Sequence, residues 1–101
     1  MIKFVALLLV FMFVSSLAWS DERAGAVAAC RALASEGRRP PRCVDVQEKA
    51  LRSYYRIVTG MREGSAEDEV RRQCFLRSKI GDSVEADWVK VVACMSDQGV
   101  R

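Results

Sequence analysis

Residues 43–61 have the sequence CVDVQEKALRSYYRIVTGM. Mainly apolar side chains recur in it every three or four residues, at Cys43, Gln47, Leu51, Tyr54, Val58 and Met61. This is the spacing of one face of an α-helix, and glycines at positions 60 and 64 bracket its end. The stretch therefore predicts an amphipathic helix from about Cys43 to Met61 that turns this face towards a core.

A first helix is predicted upstream, from about Arg23 to Ser35, with Val27, Cys30 and Ala34 on its inner face. Gly37 ends it, because glycine readily adopts the backbone conformation that follows a helix.

A third helix is predicted to open at Ser65, whose hydroxyl can cap the first turn, and to stop at Gly81. Its predicted inner residues are Val70, Cys74 and Phe75. On its wet side, ion pairs four residues apart are predicted for Glu67–Arg71 and Asp68–Arg72.

A fourth helix is predicted to open at Asp82 or Ser83 and to end at Gly99. Its predicted apolar stripe consists of Val84, Trp88, Val91, Val92 and Met95. Since no stretch alternates as a strand does, we predict an all-α fold, a compact bundle of about four short helices cross-linked by two disulfides.

The four cysteines are Cys30, Cys43, Cys74 and Cys94, and an even number in a small exported chain indicates two disulfides. No two have the Cys-x-x-Cys spacing of redox or zinc motifs. In an antiparallel bundle, Cys43 and Cys94 would be mismatched by about 15 Å. This mismatch disfavours Cys30–Cys74 with Cys43–Cys94. We favour Cys30–Cys43 with Cys74–Cys94, because near neighbours in the chain meet most readily, and Cys30–Cys94 with Cys43–Cys74 remains the close alternative.

The beginning of the chain has the order of a secretory signal peptide. Lys3 precedes an apolar run of 11 residues from Phe4 to Val14, and Ala18-Trp19-Ser20 offers small residues for cleavage. A membrane anchor, the alternative, needs about 20 apolar residues. We predict a signal peptide over residues 1–20, cut after Ser20 or alternatively after Ala18, and one domain over residues 21–101.

Charge and composition limit the predicted location of the protein and the kinds of partner that it binds. Removal of residues 1–20 takes away one basic side chain, so 15 basic and 13 acidic ones remain and the formal charge is +2. This small charge gives no indication of nucleic-acid binding and argues against a cationic membrane-active effector. Arginine outnumbers lysine 12 to 4, as is common in GC-rich bacterial genomes. We predict an exported protein, periplasmic or extracellular, with no stable membrane anchor after cleavage.

The chain contains no histidine, which removes nucleophile–imidazole pairs and imidazole metal ligands. It also contains no asparagine and therefore no N-glycosylation site. We predict that the protein is not an enzyme, and we assign no catalytic, cofactor-binding or metal-binding residue. Glu85 and Asp87 lie near Trp88 and could perform acid–base chemistry in a cleft, but a solvated first helical turn is the favoured interpretation.

Two surface features are candidates for binding a partner. The link Arg38-Arg39-Pro40-Pro41-Arg42 is predicted to be extended and to present its three arginines to an acidic protein. A solubilising loop is the alternative. Arg52, Tyr55 and Arg56 form an aromatic–basic patch of the kind favoured at binding hot spots, unless Tyr55 is a half-buried edge residue.

Residues 74–98 contain Cys74, the run Asp87-Trp88-Val89-Lys90-Val91-Val92-Ala93-Cys94, and Gln98. This stretch is similar to a pattern that recurs in small exported bacterial proteins of unknown function. The resemblance implies a helix and a disulfide and carries no activity with it.

The favoured functional hypothesis is a small exported, non-enzymatic interaction protein, for example an inhibitor or immunity-type binder of another protein. A rigid cross-linked bundle lowers the ordering cost of binding. The alternative is a carrier of a small apolar ligand, in a cavity lined by Tyr54, Val58, Trp88 and Val91. Trp88 is also predicted to be mostly buried.

Overall fold

Four helices account for most of residues 21–101, the part of the chain that the computed structural model describes. They are α1 (residues 21–35), α2 (Cys43–Thr59), α3 (Ala66–Arg77) and α4 (Trp88–Asp97). Residues 21–101 contain no strand, so the predicted all-α fold is confirmed. The predicted signal peptide over residues 1–20 lies outside the described residues.

Helix α2 follows the predicted stripe closely and ends two residues before the expected Met61. Cys43, Gln47, Leu51 and Tyr54 are buried. Val58 and Met61, later in the same stripe, are partly buried against the core. The inner face of this helix is therefore as its periodicity predicted.

Helix α1 is confirmed, but its inner face is rotated from the prediction. Its buried residues are Ala26, Ala29, Cys30 and Leu33. Val27 is only partly buried and Ala34 is exposed. Gly25 sets the close approach to α2, because a Cβ at this position would lie 2.8 Å from Leu51 Cδ2.

Helix α3 begins as predicted and ends early. Ser65 Oγ accepts a hydrogen bond from the Asp68 backbone N–H at 3.2 Å, which confirms the cap. The helix stops at Arg77 rather than continuing to Gly81. Cys74 is buried on its inner side, with Val70 and Phe75 partly buried against the same core.

The ion pairs of α3 join residues three apart, so the predicted pairs four apart are wrong. Arg71 Nε contacts Asp68 Oδ1 at 2.7 Å, and Arg72 Nη2 contacts Glu69 Oε1 at 2.8 Å. The other oxygen of Asp68 accepts the Gly64 backbone N–H at 2.9 Å, which holds this carboxylate at the helix start. The Gly64 and Arg71 hydrogen bonds lower the pKa of Asp68, and the Arg72 hydrogen bond lowers the pKa of Glu69.

Helix α4 begins at Trp88 and not at Asp82 or Ser83, so the predicted start is wrong. Val84, assigned to the apolar stripe, is 83 % exposed. The loop over residues 78–87 is closed by the Ile80 N–H bonded to the Glu85 carbonyl and the Asp87 N–H bonded to the Ser78 carbonyl, both at 2.9 Å. Ile80 lies in this loop and is buried together with Leu33 and Cys43.

The buried side chains form two clusters. The small cluster consists of Ala29, Cys30, Leu33, Cys43 and Ile80. The large cluster consists of Leu51, Tyr54, Cys74, Ala86, Val91, Met95 and Val100. Trp88 packs against both clusters and thereby joins them.

The disulfides are Cys30–Cys43, with Cα atoms 5.9 Å apart, and Cys74–Cys94, with Cα atoms 5.6 Å apart. The favoured pairing is therefore confirmed. The first disulfide lies in the small cluster and joins α1 to α2. The second joins α3 to α4, with Cys74 in the large cluster and Cys94 packed against it.

Candidate functional site

The link between α1 and α2 presents three exposed arginines, Arg38, Arg39 and Arg42, and residues 38–42 are called the arginine turn below. Arg38 Nη1 lies 3.2 Å from Glu36 Oε2, with both side chains open to water. Within residues 21–101, Arg39 and Arg42 form no ion pair. The prediction that these arginines face solvent agrees with the structure.

Both ends of the arginine turn are held in place. The Arg38 N–H donates to the Leu33 carbonyl at 2.8 Å, and Cys43, directly after Arg42, is disulfide-bonded to Cys30. Arg42 has φ 55° and ψ 31°, the left-handed conformation. The prediction of an extended link is wrong at this residue, because the chain must reverse there to enter α2.

The second candidate patch lies further along α2 and is partly neutralised. Arg52 contacts Glu22 at 3.2 Å and Glu48 at 3.3 Å, and Arg23 contacts the same Glu48 at 3.1 Å. The Arg52–Glu22 and Arg23–Glu48 pairs cross from α1 to α2, whereas Arg52–Glu48 lies within α2, and such solvent-accessible pairs contribute about 0–1 kcal/mol each. Arg52 is therefore engaged in joining two helices, a role that its position on the sequence did not reveal.

Tyr55 and Arg56 remain accessible. Tyr55 is 46 % exposed and packs edge-on against Tyr54, with ring centroids 5.8 Å apart. Arg56 Nη2 donates to Ser53 Oγ at 3.3 Å. At about 1.5 Å per residue, Arg56 lies about 21 Å along the helix from Arg42. The structure therefore does not bring the arginine turn and this patch into one cluster.

A buried polar contact joins the first turn of α2 to the start of α4. Gln47 Nε2 donates to Asp87 Oδ1 at 2.9 Å, and the Trp88 backbone N–H donates to Gln47 Oε1 at 2.8 Å. Asp87 Oδ1 also caps α4 by accepting the Lys90 N–H at 3.4 Å. Asp87 is only 9 % exposed, so its interpretation as part of a solvated turn is wrong.

The sequence contained one sign of this contact, a glutamine in an otherwise apolar stripe, but it did not indicate a partner 40 residues away. The contact holds two helix starts together and uses the Asp87 oxygen for structural hydrogen bonds. In residues 21–101, no group of three or more cysteine or carboxylate side chains is placed to hold a metal ion.

The residues expected to line a ligand cavity are packed together in the core. The rings of Tyr54 and Trp88 lie 4.9 Å apart, and Val58 and Val91 belong to the same large cluster. Tyr54 Oη accepts a hydrogen bond from Arg71 at 3.2 Å, which raises the pKa of Arg71 and ties α2 to α3. A groove of about 420 Å³ lies instead on the outside of the bundle, between α2 and α4.

This chain matches no protein-family profile, no curated protein and no solved structure. The resemblance of residues 74–98 to small exported bacterial proteins therefore stays a prediction. In the part of the chain that the structure describes, no helix combines the length and the apolar character that spanning a membrane requires.

Proposed function

We propose that this chain is an exported, non-enzymatic binding protein of the inhibitor or immunity type, which engages an acidic protein in the periplasm or outside the cell. The observation that carries the proposal is the arginine turn. Three exposed guanidinium groups stand on a short segment whose ends are held by a disulfide and by a backbone hydrogen bond to α1.

Two properties support export. The two disulfides suit an oxidising compartment, since cytosolic proteins rarely keep such bonds. The first 20 residues have the order of a signal peptide, with Lys3 before the apolar run and small residues at Ala18 and Ser20. Cleavage there leaves the described domain as the secreted product.

The arginine turn suits a protein partner that carries carboxylates. Guanidinium groups bind carboxylates with two parallel hydrogen bonds, which are stronger than neutral ones. Because the turn is held at Leu33 and Cys43, its arginines lose less conformational entropy on binding than arginines on a free loop. Opposite charge also speeds the encounter through long-range attraction.

The test compares two variants of the full chain, each exported and tagged, against a partner first captured from the source envelope with the parent protein. The first carries Arg38→Ser, Arg39→Ser and Arg42→Asn, where asparagine tolerates the left-handed backbone at position 42. The matched control carries Arg62→Ser, Arg77→Ser and Lys79→Ser, which removes the same charge from three other exposed positions.

We expect the arginine-turn variant to associate about tenfold more slowly at low ionic strength, and the difference to shrink in high salt. The control should associate nearly as fast as the parent, and all three proteins should melt at similar temperatures. Equal association rates for the parent and the arginine-turn variant at both salt concentrations would refute the proposal.

A further inference from the structure

An apolar groove follows the outer seam between α2 and α4. Its walls are formed by Val46, Ala50 and Ser53 from α2 and by Val89, Val92 and Ala93 from α4. Val46 is 44 % exposed and Val89 is 40 % exposed. Two neighbouring exposed valines on a domain of this size form an apolar surface without a partner in the described residues.

The shape of the groove suits a third helix. The named residues from α2 are spaced i, i+4 and i+7 and those from α4 are spaced i, i+3 and i+4, so each set lies on one face of its helix and the two helices form two ridges. Short side chains at Ala50, Ser53 and Ala93 permit a close approach. A small lipid or ligand needs a pocket that encloses most of its surface, which a groove this open to solvent does not provide.

The groove has one positively charged side chain in its lining. Lys49 lines it, and Lys90 directly follows Val89. Neither lysine forms an ion pair within residues 21–101, where all 13 carboxylate side chains of the protein lie. Asp45 and Asp97 are also exposed nearby, and neither is paired with these lysines.

The arginine turn lies next to one end of the groove. The Val46 N–H donates to the Arg42 carbonyl at 3.1 Å, so the last arginine of the turn lies one helical turn before the end of the groove. Among the residues that line the groove, Lys49 is positively charged and the others are uncharged. Arg42 adds a second positive charge at the helix start next to the groove.

We infer that this groove binds an amphipathic helix of the partner protein, with an apolar face in the groove and acidic residues on its flanks that reach Lys49, Lys90 and Arg42. The inference rests on the proposed function and adds the form of the ligand to it. Recognition of this kind uses anchors at i, i+3, i+4 and i+7 of the bound helix.

The first test is site-specific photo-crosslinking of the full chain in its source cells. A photoreactive residue replaces Val89 in the groove or, as the control, Val84 on the loop, which is 83 % exposed. We expect the Val89 position to crosslink to a protein segment with the apolar spacing and acidic flanks described above. The Val84 position should give no such adduct.

The second test measures the affinity of the captured partner for two single variants. Ala93→Glu places a negative charge in the groove, and Ala66→Glu places the same charge at an equally exposed alanine on α3. We expect Ala93→Glu to weaken binding at least tenfold and Ala66→Glu to leave it unchanged, with similar melting temperatures for both.

Crosslinks from position 89 to a second copy of this chain or to lipid, equal adducts from position 84, or parental affinity in Ala93→Glu would each overturn the inference. These failures are distinct from failure of the proposed function, because the arginine-turn variant is tested separately by its association rate. If the arginine-turn variant associates slowly but Ala93→Glu binds with parental affinity, the proposal of an acidic partner stands and the proposal of a helix in the groove is rejected.

Discussion

The two clusters of the core are built differently. In the large cluster, side chains from α2, α3 and α4 pack around Leu51, Val91 and Met95. In the small cluster, Leu33 and Ile80 are the only large aliphatic side chains, and two of the five buried members are the bonded cysteines Cys30 and Cys43. Each region contains one disulfide, since Cys74 of the Cys74–Cys94 bond belongs to the large cluster, but the small cluster has less aliphatic packing beside its bond. The arginine turn adjoins the small cluster, because Cys43 directly follows Arg42.

Two contacts couple these regions. Trp88 packs against both clusters, with its ring 4.9 Å from that of Tyr54 and 5.8 Å from that of Phe75. Gln47, one turn after Cys43, bonds to Asp87 and to the Trp88 backbone. The start of α4 is thus the place where the two regions depend on each other, and the following predictions test this.

Trp88→Ala should have the largest effect. It removes the ring that both clusters share, and loss of a large aromatic core residue costs about 3–5 kcal/mol. The free energy of unfolding of a small domain is only about 5–15 kcal/mol, so we expect the variant to be largely unfolded near its normal working temperature. Urea denaturation followed by circular dichroism measures the free energy of unfolding.

Trp88→Phe is the control, because it retains an aromatic ring and removes the indole Nε1, which is buried without a hydrogen-bond partner among the described residues. Trp88 packs against both clusters and only a minor part of its surface is open to solvent, so the prediction that it is mostly buried agrees with the structure. An alanine variant that melts within a few degrees of the parent would show that Trp88 does not join the clusters.

Removing either disulfide should lower the free energy of unfolding by about 2–4 kcal/mol, but the part of the domain that opens should differ between the two regions. Cys74→Ala with Cys94→Ala should lower the stability of the whole domain, because Cys74 of this bond belongs to the large cluster. Cys30→Ala with Cys43→Ala should first release α1 while α2 to α4 remain packed. Hydrogen exchange on each double variant distinguishes local from global opening. Uniform loss of protection in both would remove the distinction between the regions.

Gln47→Ala should have the smallest effect, about 1–3 kcal/mol, since it leaves Asp87 Oδ1 and the Trp88 N–H without their buried partner. We expect faster hydrogen exchange at the Trp88 amide together with the lower stability. Gln47→Glu keeps an acceptor for the Trp88 N–H but opposes the Asp87 carboxylate, so it should be at least as destabilising. Unchanged exchange in Gln47→Ala would mean that this contact does not couple the regions.

The spacing of side chains along the sequence correctly predicted those helical features that depend on neighbouring residues in the chain. The stripe from Cys43 to Tyr54 and the Ser65 cap are determined by side chains within one or two helical turns of each other. The favoured cysteine pairing also came from the chain alone, because it joins cysteines that are near neighbours in the sequence, at separations of 13 and 20 residues. The exposure of Arg38, Arg39 and Arg42 agrees with the polarity of their link.

Composition and periodicity act within a few residues, and they sufficed to predict the helical class, the number of disulfides and their favoured pairing. Where α4 begins, which partner Gln47 has and that a groove lies outside the bundle depend on contacts between distant parts of the chain. Val84 matches the period of α4, yet the chain forms a loop there, in which Ile80 is buried beside Leu33. The position of this loop therefore depends on contacts between residues more than 40 positions apart, and no local sequence pattern shows such contacts.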